Sequence, residues 1–295
     1  MISVIIPTFR RPSQTQAALK SVVNQKRGRE LIQEIHLIDD GSNDGSLDLL
    51  KSELRKESMF WKNRLAIHEI PHHGVSYCRN LGIKNSSSPW LAFLDSDDQW
   101  LPHKCVSQIE TLHSDGLLIS HGEEIWIRRG RRVNPKKIHK KSGGWIFEPS
   151  LQLCLMSPSA TIIHRSVFKR FGLFDESFEV CEDFDLWLRL TRALRVSFEK
   201  EPLLVKYGGH EDQLSTKFIG MDRWRVRSYL KLLDSGLLSP VQREKTLDAL
   251  ALKWNILELG FYKHGRLEDL ASLKHHVAAY LDSMAPGRES RRSVF

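Results

Sequence analysis

The residues best equipped for chemistry are carboxylates placed where apolar runs end. Asp95-Ser96-Asp97-Asp98 directly follows Leu91-Ala92-Phe93-Leu94. Carboxylates crowded this closely repel one another, and a cation is the partner that relieves the crowding. Mg²⁺ and Mn²⁺ favour oxygen ligands, and are commonly held by one or two carboxylates together with substrate phosphates. The cluster therefore reads as a metal–diphosphate site, against the plainer alternative of a solvated turn with Asp98 capping a helix. Asp39-Asp40-Gly41-Ser42 is a weaker form of the same pattern, equally compatible with an Asx-capped turn.

The elements that must position these groups alternate regularly through the first hundred residues. Val4–Ile6 reads as a buried strand ended by Pro7, Ser13–Asn24 as a helix, and Glu34–Ile38 as the next strand. A helix over Leu47–Leu54, a strand over Leu65–Ile70, a helix over Gly74–Lys84 and a strand over Trp90–Leu94 follow. Such alternation predicts a parallel sheet with crossover helices, whose ligands sit beyond the carboxyl ends of the strands. Pro7-Thr8, Asp39-Asp40 and Asp95 to Asp98 are then expected along one rim. Beyond residue 115 the order changes. Strands are expected over Leu117–Ser120, Glu124–Arg132, Ala160–His164 and Leu203–Tyr207, with a helix over Glu182–Leu194. From Met221 to Met284 the spacing of Leu230, Leu233, Leu247, Leu250, Leu257 and Leu267 predicts helices, and the residues from Pro286 read as a loose basic tail.

Composition narrows the function classes. The chain has 295 residues, 41% of them hydrophobic and 27% charged, enough for a sizeable core and against disorder. The formal net charge is +8. The stretch from Arg128 to Lys141 carries Arg128, Arg129, Arg131, Arg132, Lys136, Lys137, Lys140 and Lys141 and no acid, and Arg288, Arg291 and Arg292 lie near the end. These stretches fit either solvated loops or attraction to a phosphorylated or lipid-bound partner. No nucleic-acid motif accompanies the charge, so no nucleic-acid partner is expected. The four cysteines form no Cys-x-x-Cys pair, which argues against a zinc knuckle and for reduced thiols in the cytoplasm. The opening apolar run is too short for a signal-peptide core, and no run reaches the ~18 residues of a membrane span, so any membrane contact is expected to be peripheral, at the inner face.

The set as a whole resembles the family 2 inverting glycosyltransferases of the GT-A fold. The matching residues are Ser3-Val4-Ile5-Ile6-Pro7-Thr8-Phe9, Asp39-Asp40-Gly41-Ser42, Arg79-Asn80 and Phe93-Leu94-Asp95-Ser96-Asp97-Asp98. Phe171-Gly172-Leu173-Phe174-Asp175-Glu176 and Glu182-Asp183-Phe184-Asp185-Leu186-Trp187-Leu188-Arg189 extend the match to roughly residues 1–215. The resemblance implies an α/β, Rossmann-like, mixed but mainly parallel sheet flanked by helices; the C-terminal helical extension lies outside the match and rests on the apolar spacing alone. The resemblance also implies a glycosyltransferase domain over 1–220, divided into a nucleotide-sugar half (1–115) and an acceptor half (116–220). A helical extension (221–285) and a basic tail (286–295) complete the chain.

Carried over position by position, the resemblance implies that Pro7 and Thr8 line the nucleotide pocket. Asp40 is expected to bond the base, Arg79 to hold the nucleotide or its diphosphate, and Asp95 to contact the ribose with Ser96 beside it. Asp97 is expected to bind Mn²⁺ or Mg²⁺, with His210 as a further ligand. Asp183 is expected to be the catalytic base, accepting the proton of the attacking hydroxyl. Without the resemblance, Glu182-Asp183 reads as an acidic first helical turn and His210 as a surface histidine in a glycine turn. The implied activity is a metal-dependent hexosyl or related transfer from a nucleotide-sugar, UDP-sugar favoured, to a glycan or lipid-linked acceptor in cell-surface polysaccharide synthesis. A catalytically inactive nucleotide-sugar or carbohydrate-binding protein of the same fold is the alternative. A sugar-phosphate nucleotidyltransferase fits less well, because Thr8-Phe9-Arg10-Arg11-Pro12 lacks the glycines such enzymes need after the first strand. Trp90, Trp100 and Trp187 read as core or pocket wall, and core packing is also expected of Trp126 and Trp145.

Overall fold

The structure, a computed structural model, describes residues 1–56, 63–134, 139–209 and 220–282. The chain divides into two compact units, Met1–Thr216 and Lys217–Phe295.

The first unit is built on a nine-stranded sheet. Its strands are β1 (Ile2–Thr8), β2 (Ile32–Asp39), β3 (Leu65–Glu69), β4 (Trp90–Phe93), β5 (Gln99–Trp100), β6 (Ile119–Arg128), β7 (Arg131–Val133), β8 (Ile162–His164) and β9 (Ser197–Gly208). The spatial order is β3-β2-β1-β4-β8-β6-β9-β5, with β7 paired to β6. β3, β2, β1 and β4 are mutually parallel. β8 is antiparallel to both β4 and β6, so β6 runs the same way as β4, and β9 is parallel to β6. The carboxyl ends of β1, β2, β4, β6 and β9 therefore share one rim. The order reverses between β1 and β4, which opens a crevice at that rim, the place where open α/β sheets bind ligands.

Alternation along the strands distributes the core to both faces. Ile2, Val4 and Ile6 pack with Ala18, Leu19 and Val22 of α1 (Pro12–Val23), Leu50 and Leu54 of α2 (Ser46–Lys56), and Ile109 and Leu112 of α4 (Lys104–Asp115). Ile5, Leu91 and Phe93 point the other way. They meet Cys78 and Ile83 of α3 (Val75–Asn85), Val167 and Phe168 of α6 (Arg165–Phe171), and Leu186, Trp187 and Leu190 of α7 (Glu182–Thr191). A short α5 (Phe147–Gln152) precedes β8. Gly82 lets α3 lie close on β1: a Cβ there would sit 2.5 Å from Ile5 Cγ2. The second unit holds α8 (Asp222–Asp234), α9 (Pro240–Lys263) and α10 (Ala271–Leu281). α9 starts on Pro240 with a capping box between Ser239 and Gln242. Among the described residues, no helix is long and apolar enough to cross a membrane.

Several sequence expectations need correction. Pro7 does not end the first strand, which runs on through Thr8. β4 pairs with β1 only over Ile2–Ile5, so Pro7 has a strand on one side alone and its missing N–H costs no ladder bond on the other. The two strands expected on either side of residue 122 are one ten-residue strand, whose register with β9 jumps between Gly122 and Glu124 because β9 carries the extra residues between Glu199 and Leu204. Gly122 is required there, since a Cβ would meet Leu203 Cδ1 at 2.5 Å. Asp98 caps no helix; it leads into β5, and α4 begins only at Lys104. Trp145 is 65% exposed rather than packed in the core.

Candidate functional site

The crevice between β1 and β4 is walled by loops that tie to one another. The backbone N–H of Asp40 donates to Thr8 O (2.9 Å), joining the ends of β1 and β2. Arg10 N donates to Ser42 Oγ (2.7 Å), and the Phe9 ring lies 4.8 Å from that of His72. Pro7 is buried within β1, and the Thr8 hydroxyl is satisfied by Thr15 Oγ1 at 2.6 Å. The Asp40 carboxylate, buried, accepts from His73 N (2.7 Å) and Gly74 N (3.0 Å) and pairs with His72 Nδ1 (2.8 Å). It thereby fixes the entry to α3, whose second turn presents Arg79.

Arg79 is buried and bridges two elements. Its Nη2 donates to Asp95 Oδ1 (2.7 Å) after β4, and its Nη1 to Glu182 Oε1 (2.5 Å) at the start of α7. The Phe174 ring lies 5.2 Å from the guanidinium. Asn80, the next residue, clasps the segment that supplies this ring, accepting from Phe174 N (3.0 Å) and donating to Phe174 O (2.9 Å) and Glu176 Oε1 (2.8 Å). Burial opposes the charge on Arg79, but Asp95 and Glu182 more than offset it and keep the guanidinium protonated. Burial also opposes the charge on Asp95; the adjacent Arg79 outweighs it and holds this carboxyl below the ordinary range. Glu182 goes the other way. Burial, with the charge of Asp183 beside it, pushes its carboxyl up to about 7 against the pull of Arg79.

The turn after β4 places its carboxylates in different surroundings. Asp95 N donates to Ser159 Oγ (3.0 Å), and Asp98 N closes the turn on Asp95 O (3.0 Å). Ser96 is buried within it. Asp97 is partly exposed and accepts from Arg11 Nη1 at 3.0 Å, which links the turn to the loop after β1. Asp98 is buried: its Oδ1 takes Tyr207 N (3.3 Å), while its Oδ2 has no hydrogen bond among the described residues. Burial raises the Asp98 carboxyl well above the usual carboxylate range, and the charges of Asp97 and Asp95 add to this against the pull of Lys206.

Asp183 occupies the first turn of α7, behind Cys181, a left-handed residue (φ 61°). Its Oδ1 accepts from Phe184 N (2.7 Å), and Cys154 Sγ lies 3.4 Å from its Oδ2. Burial, and then the charge of Asp183, raise the Cys154 thiol well above its ordinary value, so Cys154 stays a hydrogen-bond donor. Nearby, Glu124 on β6 is buried against Lys141 Nζ (2.7 Å), accepts from Trp126 Nε1 (2.8 Å) and is hydrogen-bonded by Ser157. Burial opposes its charge, but Lys141 and then Lys206 pull its carboxyl down to about 2. Lys141 is thus a buried structural cation. The other described basic residues of that stretch, Arg128, Arg129, Arg131, Arg132 and Lys140, are exposed.

The structure thus joins Thr8 to Asp40, and Arg79 to Asp95, and ties the turn holding Asp97 to the first loop. Glu182, next to Asp183, is held to the same Arg79. His210 lies outside the described residues. Sequence reading missed Arg11, Glu124, Cys154 and Lys206 as parts of this site; each reaches it through a contact distant in sequence, and none belongs to a local pattern. Among the described residues, no three His, Cys, Asp or Glu side chains converge as a closed metal cage. The partly open Asp97 carboxylate nonetheless fits a hard cation that takes few protein ligands and fills its shell with substrate phosphate.

Comparison with known proteins now adds to this geometry. A model described as glycosyl transferase family 2 matches residues 3–175, more than half of the chain, and a second, glycosyltransferase-like family 2, matches residues 145–233. An uncharacterized glycosyltransferase of Rickettsia typhi is 27% identical over 253 residues, covering 84% of this chain and 74% of the relative. Another from Rickettsia bellii is 29% identical over 210 residues, covering 70% of this chain but only 29% of that longer relative. An Escherichia coli UDP-Glc:alpha-D-GlcNAc-diphosphoundecaprenol beta-1,3-glucosyltransferase is 24% identical over 196 residues, covering 64% of this chain and 70% of that enzyme. Among solved structures, S. aureus TarS 1-349 in complex with UDP-GlcNAc superposes with a TM-score of 0.71 at 16% identity, covering 96% of this chain and 81% of that one. The likeness carries the GT-A fold, and the chain belongs to glycosyl transferase family 2.

Proposed function

We propose that this chain is a metal-dependent inverting glycosyltransferase that moves a hexosyl or related sugar from a nucleotide-sugar to a glycan or lipid-linked sugar. The observation that carries this reading is the Arg79 bridge, which draws the Asp95 turn and the Asp183 helix onto one guanidinium. The turn that carries Asp97 and the helix that carries Asp183 are thereby tied through one residue. UDP is the favoured nucleotide, in keeping with the UDP-GlcNAc complex of TarS and the UDP-Glc named for the E. coli relative. The latter's diphosphoundecaprenol acceptor supports a lipid-linked acceptor here. The reading divides unit one into a nucleotide-sugar half up to about residue 115 and an acceptor half beyond.

The donor lies in the β1–β4 crevice, flanked by Pro7, Thr8, Asp40 and Ser96. Asp95, oriented by Arg79, accepts from the ribose, and Asp97 is the residue that would hold Mn²⁺ or Mg²⁺. The cation supplies Lewis-acid neutralisation of the diphosphate. Asp183 accepts the proton of the acceptor hydroxyl as that oxygen attacks the anomeric carbon and the bond to the diphosphate breaks. Its Oδ1 is fixed by Phe184 N, and the one proton of the Cys154 thiol is shared between Met156 O (3.2 Å) and Asp183 Oδ2 (3.4 Å). His210 stands in this reading as a further metal ligand.

The protein works in the cytoplasm, touching the inner face of a membrane from which the lipid-linked acceptor is presented. The exposed arginines of the β6–β7 hairpin favour that contact, because the hairpin extends from the rim that carries the site. Each basic residue near an anionic surface contributes about 1 kcal/mol. A thermal-shift panel of nucleoside diphosphates and nucleotide-sugars, with and without Mn²⁺, tests the donor reading. Ligands selective for the folded state raise its melting temperature. A metal-dependent rise with one nucleotide is expected; no rise with any, in folded protein, rules the donor site out.

A further inference from the structure

We propose that Lys206 is an anion-binding residue of the donor site, whose ammonium meets the β-phosphate of the bound nucleotide and the charge gathering there as the sugar departs. The proposal rests on the donor-site reading above.

Register puts Lys206 in place. β5 pairs antiparallel with β9 through Gln99–Val205 and Trp100–Leu204, which brings Lys206 opposite Asp98. Tyr207 N donates to Asp98 Oδ1 (3.3 Å), and Lys206 Nζ stands 4.0 Å from Asp98 Oδ2. On the other side of β9, the β6 pairing sets Trp126 beside Lys206 and Glu124 beside Leu204, so Glu124 lies on the same face as the lysine. The carboxylates of Asp98, Glu124, Asp95 and Asp183 all act on this one ammonium. Through Asp98 it stands against the turn that follows β4.

Three carboxylates of this rim hold nearer cations, while Asp98 is paired with Lys206 at 4.0 Å. Asp95 has Arg79 at 2.7 Å, Glu124 has Lys141 at 2.7 Å, and Asp97 has Arg11 at 3.0 Å. The Lys206 ammonium makes no hydrogen bond among the described residues, and the side chain is 33% exposed. An ammonium has three N–H donors and no acceptor, and an unused set at the heart of a site is costly unless water or ligand takes it up. A diphosphate entering this carboxylate-rich rim needs cations aimed at its oxygens, and charge-assisted bonds to an anionic oxygen are the strong ones. Lysine serves phosphate as a point charge, without the planar match that arginine demands.

The test uses Lys206→Met and Lys206→Arg in the full chain. Calorimetric titration compares the nucleoside diphosphate that the unaltered protein binds with its parent nucleoside, with and without Mn²⁺. Loss of a charged hydrogen bond predicts ten- to hundredfold weaker diphosphate binding in Lys206→Met. Nucleoside affinity stays unchanged, and Lys206→Arg recovers most of the loss. Equal weakening of diphosphate and nucleoside assigns Lys206 a structural role and overturns the proposal, as does an unchanged diphosphate affinity. Should the unaltered protein bind no nucleoside diphosphate, the donor reading fails and takes the proposal with it.

Discussion

The guanidinium of Arg79 lies 2.5 Å from the carboxylate of Glu182, although 103 residues separate them in the chain. Arg79 is buried, and Asp95 takes its other terminal nitrogen. Deleting a buried cation leaves its partners as uncompensated charges, at a cost of about 3–5 kcal/mol. Arg79→Met is expected to lose about that much stability in urea unfolding, and to lose nucleotide binding with it. Arg79→Lys recovers only part, because one ammonium cannot span both carboxylates as the planar fork does. An Arg79→Met protein as stable as the parent would show that the bridge is decorative.

The base assignment makes a separate prediction. Asp183→Asn keeps the size of the side chain and the N-terminal position on α7, but cannot accept the acceptor's proton. Turnover is expected to fall by about 10²–10⁴, with nucleotide affinity intact. If the asparagine variant turned over like the parent, another group would have to be the base.

Acid sensitivity has a traceable source in Glu124. Its carboxyl is held down at about 2 in the folded protein, against an ordinary value of 4.5, because Lys141 and Lys206 outweigh its burial. A depressed carboxyl contributes stability that is complete above the unfolded value and disappears as pH falls through the folded one. The window therefore runs from about pH 5 down to about 2, and the contribution is about 3 kcal/mol. Unfolding free energies of the parent should fall more steeply than those of Glu124→Gln between pH 5 and 3. Parallel slopes would mean that the pair contributes nothing pH-dependent.

Gly82 predicts a packing effect far from any charge. A Cβ at this position would stand 2.5 and 2.9 Å from the γ carbons of Ile5. Gly82→Ala must push α3 off β1, at about 1–3 kcal/mol. Because Arg79 rides on the same helix, nucleotide affinity should drop along with the melting temperature. A variant with parental stability would show that β1 and α3 adjust freely.

Much of the donor side was legible because its signals are local. Apolar runs ending in Thr8, Asp40 and Asp95 to Asp98 mark strand ends directly, and the parallel alternation sets them on one rim. Beyond residue 115 the controlling contacts are distant in sequence. The polar residues Glu123 and Glu124 split one long strand into two apparent ones, and the register jump beside Gly122 comes from β9, which advances from Glu199 to Leu204 while β6 advances from Gly122 to Glu124. Lys141 reads as one more charge in a basic run, and only its ion pair with Glu124 marks it as buried. Cys154 carries no motif, and its place beside Asp183 follows from the return of α7 onto the sheet. Lys206 sits unremarked in an apolar strand until pairing with β5 brings it to Asp98.

Sugar transfer with inversion, from a nucleotide-sugar held in the β1–β4 crevice, is the reaction proposed for this chain. Its most direct test is proton NMR of the full chain with Mn²⁺, an α-linked UDP-sugar and a sugar linked to a lipid diphosphate. Release of UDP together with a new β-anomeric signal on the acceptor is expected, both abolished in Asp183→Asn. An α-linked product, or transfer undiminished in that variant, would contradict it.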